Sequence, residues 1–220
     1  MFFCVFVFWW QKDSRPRITK ALTITDQNFM KKIILATSNK GKLNDVKEIF
    51  KDLDLEILSF LDFNEHPEVE ENGNTFLENA EIKARAAFEK YKIPSIGDDS
   101  GLEAFQLNGE PGIYSARYAG KDADDKKNNL LLIKKLSKLP EPHPGRFVCA
   151  AAYYDGKELK TAIGEIRGNI ILTPRGKNGF GYDPLFIPEG YDITTAEMSH
   201  EEKNKISHRY RAFNKLKDYL

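Results

Sequence analysis

Residues 95–102 read Ser-Ile-Gly-Asp-Asp-Ser-Gly-Leu and follow a short apolar segment that is typical of a strand end. Neighbouring side chains on a strand point to opposite faces, so Asp98 and Asp99 cannot serve the same purpose. In α/β enzymes, metal ligands and general bases often lie at such strand ends, on backbone that glycine makes flexible. An Asp-Gly turn with solvated carboxylates fits the stretch equally well when it is taken alone.

Upstream of this stretch, strand and helix patterns alternate. Residues 33–36 and 55–60 are short apolar runs typical of buried strands, and helical apolar spacing begins between them at about Gly41. Thr75 and Glu78 have the spacing of a capping box, which predicts the start of a second helix.

Downstream, a third helix and a hairpin are predicted. Asp122 is the expected cap of the helix, and the strand-like runs 146–154 and 158–167 meet at Asp155–Gly156, a strong hairpin signal. A second capping box at Ser199 predicts one continuous last helix. The fold class is therefore α/β, an elongated mixed β-sheet flanked by helices.

The composition is that of an ordinary globular protein. The 220 residues are 41% hydrophobic and 30% charged. Lys+Arg and Asp+Glu are balanced at 33 each, which argues against a general nucleic-acid-binding protein, because that class carries a basic excess. Two distant cysteines, Cys4 and Cys149, argue against a disulfide framework or a thiolate zinc site and favour a reducing, cytoplasmic compartment.

The first 29 residues differ from the rest. The apolar run Met1–Trp10 is shorter than the roughly 20 residues that a membrane span needs, and it lacks the features of a signal peptide. From Met30 the sequence resembles the first strand of a cytosolic α/β protein. We expect residues 1–29 to be a disordered extension or an over-called start, and 30–220 to form the functional domain without membrane contact. A membrane-associating tail is the alternative.

A strand-to-helix turn offers a candidate anion site. It consists of Thr37, Ser38, Asn39, Lys40, Gly41 and Lys42. Amides at a helix N-terminus, a glycine and lysine ammonium groups together suit a phosphate. The turn lacks the first glycine and the Lys-Ser/Thr ending of a Walker A loop. A capped helix start with solvated lysines explains the same residues.

Carboxylates are available for a metal ion. Asp98, Asp99 and the loop acids Glu68, Glu70 and Glu71 carry oxygen ligands that suit Mg²⁺, which uses one or two carboxylates plus substrate phosphates. The loop acids also fit a solvated run, and for Glu68 and Glu70 we favour that interpretation.

Two further segments could recognise a base. One is the loop of Phe180, Gly181, Tyr182 and Asp183, in which an aromatic ring can stack and a carboxylate can accept hydrogen bonds, although a packed turn fits as well. The other is the last helix, which carries Lys203, Ser207, His208 and Arg209. A basic, solvent-facing helix is its alternative interpretation.

Taken together and in order, the segments closely resemble the inosine triphosphate pyrophosphatase family, hydrolases of non-standard purine nucleoside triphosphates. The matching segments are TSNKGK (37–42), ENGNTFLENAEIKA (71–84), GDDSGL (97–102), GEPGIYSARYAG (109–120), GFGYDPLF (179–186) and AEMSHEEKNKISHR (196–209). The family fold implies two lobes with the nucleotide in a cleft between them, and usually a homodimer.

The resemblance also implies a reaction and roles. ITP, dITP or XTP and water would give the monophosphate and pyrophosphate, with Mg²⁺ as cofactor. Asp99 matches the catalytic base and metal ligand, and Glu71 the second metal carboxylate. The substrate-binding positions would be residues 37–42, Lys83, Ser100, Phe180, Gly181, Tyr182, Asp183, Lys203, His208 and Arg209.

Two alternatives remain at this stage. A related pyrophosphatase that acts on other nucleotides would share the phosphate turn and the carboxylates but not the base-reading residues. A non-catalytic nucleotide-binding module would not need Asp99 and Glu71. Both are disfavoured because all of these residues occur together.

Overall fold

A six-stranded sheet organises residues 31–220, the part of the chain that this computed structural model describes. Its strands are β1 (Lys31–Leu35), β2 (Leu55–Ser59), β3 (Ser95–Ala104), β4 (His143–Tyr154), β5 (Leu159–Ile170) and β6 (Phe186–Pro188). The spatial order is β2-β1-β3-β4-β5-β6. Strand β1 is parallel to β2 and β3, and the remaining pairs are antiparallel. The predicted α/β class with a mixed sheet is confirmed.

Five α-helices accompany the sheet in the described range: α1 (Lys40–Ile49), α2 (Phe76–Tyr91), α3 (Asp125–Leu136), α4 (His200–Ile206) and α5 (His208–Leu216). Helix α2 follows Thr75, the predicted cap, whose hydroxyl accepts from the Glu78 amide. Helix α3 is capped by Asp124 and not by Asp122, because the Asp124 carboxylate accepts from the amide of Lys127.

Strand β3 is longer than the sequence predicts. The glycine-bounded acids do not form a turn after a strand end, because all ten residues of β3 pair with β4. Gly97 and Gly101 mark close packing instead: a Cβ on Gly97 would clash with the Ala80 carbonyl, and one on Gly101 would clash with the Ser115 hydroxyl. The glycines therefore let neighbouring elements approach the strand from one face.

The strand β3 connects two hydrophobic clusters. Ile96 belongs to a cluster with residues of α1 and α5, whereas Leu102 belongs to a second cluster with residues of α3, β5 and β6. Asp98 and Ser100 lie between them on the same face of the strand. Because β1 pairs with β3 only at Ser95 and Ile96, and the bridge to Pro111 begins only at Glu103, no described strand covers this edge of β3 between them. This arrangement agrees with the predicted two lobes and a cleft between them.

The last helix is not continuous, which corrects the prediction. Ser207 has extended backbone angles, φ −63° and ψ 153°, and separates α4 from α5. Its hydroxyl accepts from the Tyr210 amide, so it caps α5 rather than continuing α4. The break therefore changes the directions of the two residues that follow, His208 and Arg209.

The structure also bears on the predictions for the cysteines and for membrane-spanning segments. Cys149 is a buried free thiol in β4, as expected. Between residues 31 and 220, none of the helices has the length and apolar character needed to cross a membrane. The predictions for Cys4, for residues 1–29 and for Met30 lie outside the described residues.

Candidate active site

A cavity of about 420 Å³ opens where β3 passes the end of β1. The strand order reverses here, because the chain goes from β1 to β2 on one side and then to β3 on the other, and such switch points commonly hold ligands in α/β sheets. Nearly all predicted site residues line it: Thr37, Ser38, Asn39, Lys42, Glu71, Lys83, Asp99, Ser100, Phe180, Gly181, Tyr182, Asp183, Lys203, His208 and Arg209. Lys40 and Gly41 are not among the lining residues, and Lys40 is exposed.

The turn after β1 is ordered by its own side chains. Asn39 caps α1 by accepting from the Lys42 amide at 3.1 Å, and Thr37 Oγ1 accepts from the Asn39 amide at the same distance. Gly41 also has a packing role, since a Cβ there would lie 2.9 Å from the Phe180 ring. Its missing side chain thus lets the loop that carries Phe180 pack against the turn after β1.

Asp98 and Asp99 face helices on opposite sides of the sheet, as their positions on a strand require. Asp98 is 1% exposed and forms an ion pair with Lys42, whose Nζ lies 2.9 Å from Oδ2, while Arg209 Nε lies 3.7 Å from Oδ2. Burial would raise the pKa of Asp98, but the charges of Lys42, Arg209 and Lys83 hold that pKa below its ordinary value. Asp98 is therefore an ionised carboxylate that organises cations.

Asp99 is bound from α2 instead. Lys83 Nζ lies 3.2 Å from its Oδ1, and Asn79 Nδ2 donates to its Oδ2 at 3.2 Å. Burial raises the pKa of Asp99 above its ordinary value, and the Lys83 and Lys42 charges offset only part of this effect. A carboxylate with a raised pKa is a stronger proton acceptor than an ordinary one, which suits a general base.

Glu71 reaches the same lysine from the loop before α2. Its Oε1 lies 3.0 Å from Lys83 Nζ, and Arg117 Nη1 lies 3.6 Å from Oε2. Burial opposes ionisation, but the Lys83, Lys42 and Arg117 charges lower the pKa of Glu71. Glu68 and Glu70 are exposed, in agreement with the solvated interpretation, although Glu68 borders the cavity.

The carboxylates of the cavity fit a divalent cation whose remaining ligands come from water and substrate. Within residues 31–220, no three His, Cys, Asp or Glu side chains are grouped as a ready metal cage. Mg²⁺ does not need one, because it takes one or two carboxylates and fills its shell with water and phosphate. Asp99 and Glu71 already meet at a single cation, the Lys83 ammonium.

Asp183 organises the aromatic end of the cavity. Its Oδ2 accepts from the Phe180 amide at 2.8 Å and pairs with Lys203, while Thr195 Oγ1 donates to its Oδ1 at 2.8 Å. Lys203 Nζ lies 4.9 Å from the centre of the Phe180 ring, and Arg209 Cζ lies 5.6 Å from it. An aromatic face and two cations thus meet at one place.

His208 lies next to this group and is uncharged. Its ring stacks on Phe147 with centroids 4.9 Å apart and an interplanar angle of 11°. Burial lowers the pKa of His208 well below 6.5, and the charges of Arg209, Lys203 and Lys42 lower it further. A neutral imidazole both donates and accepts a hydrogen bond, so it can pair with either kind of group on a ligand.

The low pKa of His208 predicts that the stability of the fold depends on pH. Between the folded-state pKa and 6.5, the unfolded chain binds the proton that the folded chain refuses, so the free energy of unfolding falls as pH falls below 6.5. Between pH 6.5 and pH 5.5, His208→Gln should lose about 1 kcal/mol less free energy of unfolding than the wild type. Urea unfolding of both proteins at both pH values measures this difference. Equal losses in wild type and variant would contradict the neutral state of His208.

Sequence reasoning missed several residues that hold the site together. Asp45, 3% exposed on α1, lies 2.7 Å from Arg209 Nη1 and also contacts His200 Nε2 at 2.9 Å. Asn79 joins Asp99 to the loop before α2, because its Oδ1 accepts from the Gly73 amide at 2.9 Å. Asn79 lies four residues before Lys83 and shares a face of α2 with it, whereas nothing near Asp45 in the sequence indicates its contact with Arg209.

Comparison with known proteins identifies the family. The model of the Ham1 family matches residues 33–219. The chain belongs to the Ham1 family. Similar relatives include the dITP/XTP pyrophosphatase of Oceanobacillus iheyensis, 45% identical over 194 residues that cover 87% of this chain and 98% of the relative. The dITP/XTP pyrophosphatase of Aquifex aeolicus is 46% identical over 193 residues, which cover 84% of this chain and 94% of the relative.

Solved structures of the Ham1 family have the same fold. The Staphylococcus aureus Ham1 protein is 43% identical, with a TM-score of 0.77, and covers 86% of this chain and 98% of its own length. The Coxiella burnetii HAM1 protein is 38% identical with a TM-score of 0.79, covering 87% and 98%. The family resemblance predicted from the six segments is thereby confirmed.

Proposed function

We propose that the chain hydrolyses the non-standard purine nucleoside triphosphates dITP, ITP and XTP to the monophosphate and pyrophosphate. One observation carries the proposal: a single cavity has carboxylates and lysines beside an aromatic ring, two cations and a neutral histidine. The carboxylates and lysines suit a triphosphate with its metal ion. The aromatic ring, the two cations and the histidine suit a purine with an oxo group. The Ham1 relatives that are dITP/XTP pyrophosphatases support the same reaction.

In this reaction Asp99 is the general base. It takes a proton from a water molecule while the water oxygen forms a bond to the α-phosphorus. The bond between the α-phosphorus and the bridging oxygen breaks, and its electron pair leaves with pyrophosphate. Lys42 and Lys83 line the same end of the cavity, where they stabilise the charge that develops on the leaving group.

The cofactor in this proposal is Mg²⁺, held by Glu71 and Asp99. When bound, it would neutralise charge on the phosphate oxygens and orient them for in-line attack. Lys83 contacts both carboxylates and holds a positive charge between them before the metal ion and substrate bind.

The base is read at the other end of the cavity. Phe180 stacks on the purine, while Lys203, Arg209 and His208 present hydrogen-bond donors to the 6-oxo group, and Asp183 orients Lys203. The 6-amino group of ATP cannot accept these bonds. An unpaired donor in a dry pocket costs enough for about 10²-fold discrimination. Ser100 holds Arg209 in place, since Arg209 Nη2 donates to its Oγ at 3.0 Å.

The biological setting is proposed on the same grounds. Such an enzyme keeps deaminated purines out of DNA and RNA by removing their triphosphates. We place it in the cytoplasm, as a homodimer whose activity resides in residues 30–220, with free nucleotides as its partners rather than nucleic acid or membrane.

A substrate panel tests the proposal against its two alternatives. The purified full chain is incubated with Mg²⁺ and dITP, XTP, GTP or ATP, and pyrophosphate and orthophosphate are measured. We expect pyrophosphate from dITP and XTP, with little product from ATP. Preferred turnover of other nucleotides would favour the related pyrophosphatase. Binding without turnover of any substrate would favour the non-catalytic module.

A further inference from the structure

We propose that Asp125 and Asn129 on α3 are positioning residues for the base-stacking loop, residues 179–183, and that they thereby set affinity for the nucleobase. The inference rests on the proposed function, because it assigns that loop to base recognition. Neither side chain was among the residues that the sequence motifs indicated.

Both backbone groups of one loop residue are bound by α3. The Gly181 amide donates to Asp125 Oδ2 at 2.7 Å, and Asn129 Nδ2 donates to the Gly181 carbonyl at 3.0 Å. The two side chains are four residues apart on a helix and so lie on one face, one turn apart. The acceptor in the first bond is a carboxylate, and hydrogen bonds to charged groups are stronger than neutral ones.

The loop needs this support because glycines stand on both sides of its aromatic residue. Gly179 and Gly181 have φ values of +76° and +62°, in the left-handed region that glycine adopts freely. Glycine also loses more conformational entropy on ordering than any other residue. Phe180 lies between the two glycines, so the direction of its ring depends on contacts that hold both sides of it.

Those contacts come from two directions. On one side, Asp183 accepts from the Phe180 amide at 2.8 Å. On the other side, the α3 side chains hold Gly181, the next residue. Helix α3 is itself well anchored, because Leu132 and Leu136 are completely buried in the second hydrophobic cluster. A loop bound to a rigid helix keeps the Phe180 ring in one orientation. Less conformational entropy is then lost when the ring stacks on a base.

The sequence offers a matched control one residue away. Asp124 has the same charge and caps the same helix, with Oδ1 accepting from the Lys127 amide at 2.8 Å, but its carboxylate bonds to α3 rather than to Gly181. Asp124→Ala therefore removes a helix cap, whereas Asp125→Ala removes the contact to the loop. Asp125→Asn keeps an oxygen that can accept from the Gly181 amide.

The experiment compares the affinities of the full-length variants for dIMP and for ribose 5-phosphate, which has no base, by calorimetry. Asp125→Ala and Asn129→Ala should each weaken dIMP binding about tenfold and leave ribose 5-phosphate binding unchanged. Asp125→Asn should recover most of the dIMP affinity. Asp124→Ala should lower the melting temperature without changing either dissociation constant.

The inference is overturned by unchanged dIMP affinity in Asp125→Ala, by an equal loss in Asp124→Ala, or by an equal loss for the ligand without a base. If Asp125→Asn were as weak as Asp125→Ala, the carboxylate charge itself would be needed, and positioning through Gly181 would be wrong. Because binding is measured without turnover, absence of pyrophosphate from dITP would reject the proposed function separately.

Discussion

Asp99→Asn should lower kcat for dITP by about 10³-fold, within the usual range for loss of a general base. The amide has nearly the shape of the carboxylate, but it cannot take a proton from water. Burial raises the pKa of Asp99, so the variant loses a stronger proton acceptor than an ordinary carboxylate. Initial rates of pyrophosphate release measure the loss, and calorimetry with dIMP checks that the nucleotide still binds.

Asp52→Asn is the control for this prediction. Asp52 is an exposed carboxylate that pairs with Lys217 at 2.7 Å, and neither residue lines the cavity. Its amide variant should keep the wild-type rate, since exposed ion pairs contribute little. Comparable turnover by Asp99→Asn and the wild type would remove Asp99 from its role as the base.

Lys83→Met should lower kcat by about 10²-fold while reducing the Mg²⁺ concentration needed for half-maximal activity. The ammonium lies within 3.2 Å of both Asp99 and Glu71, so its removal leaves two carboxylates without their shared cation. A divalent ion then meets more negative charge and no competing ammonium, while the leaving group loses a stabilising charge. Titration of activity with Mg²⁺ measures both quantities.

Lys83→Arg separates charge from geometry in the same experiment. It keeps a cation between the carboxylates, so the half-saturating Mg²⁺ concentration should stay nearer to that of the wild type than in Lys83→Met. If Lys83→Met needed more Mg²⁺ than the wild type, the lysine would be supporting the metal site rather than competing with the ion, and our assignment would be wrong.

Local sequence signals predicted most of the architecture. The Asp155–Gly156 turn and the capping residues Thr75 and Ser199 work through contacts within a few residues, and the structure has each of them in place. The break at Ser207 also has a local cause, but its hydroxyl cap competes with helix continuation, and periodicity alone does not decide that competition.

The glycines of β3 illustrate a different limit. In the sequence, Gly97 and Gly101 look like turn residues. Nothing near them shows whether a glycine is needed for its backbone conformation or because a side chain would not fit. The reason for each lies elsewhere in the chain, in the Ala80 carbonyl and in Ser115. A glycine that is required by close packing becomes recognisable only when the packing partner is known.

The site was predicted from motifs and not from contacts. Motif order brought Asp99, Lys83 and Arg209 to attention, and all three line one cavity. The partners that hold them were missed where sequence separation is large: Asp45 contacts Arg209 across 164 positions, and Gly181 contacts Asp125 across 56. Such partners carry no periodic or capping signal, so only the fold reveals them.

Hydrolysis of dITP in water enriched with ¹⁸O tests the central claim most directly, because it reports which phosphorus atom is attacked. Attack at the α-phosphorus with Asp99 as base puts the label in dIMP and leaves pyrophosphate unlabelled, as mass spectrometry of both products would record. Label in pyrophosphate would place the attack at the β-phosphorus. Labelled orthophosphate with dIDP would place it at the γ-phosphorus, and either result would contradict the account.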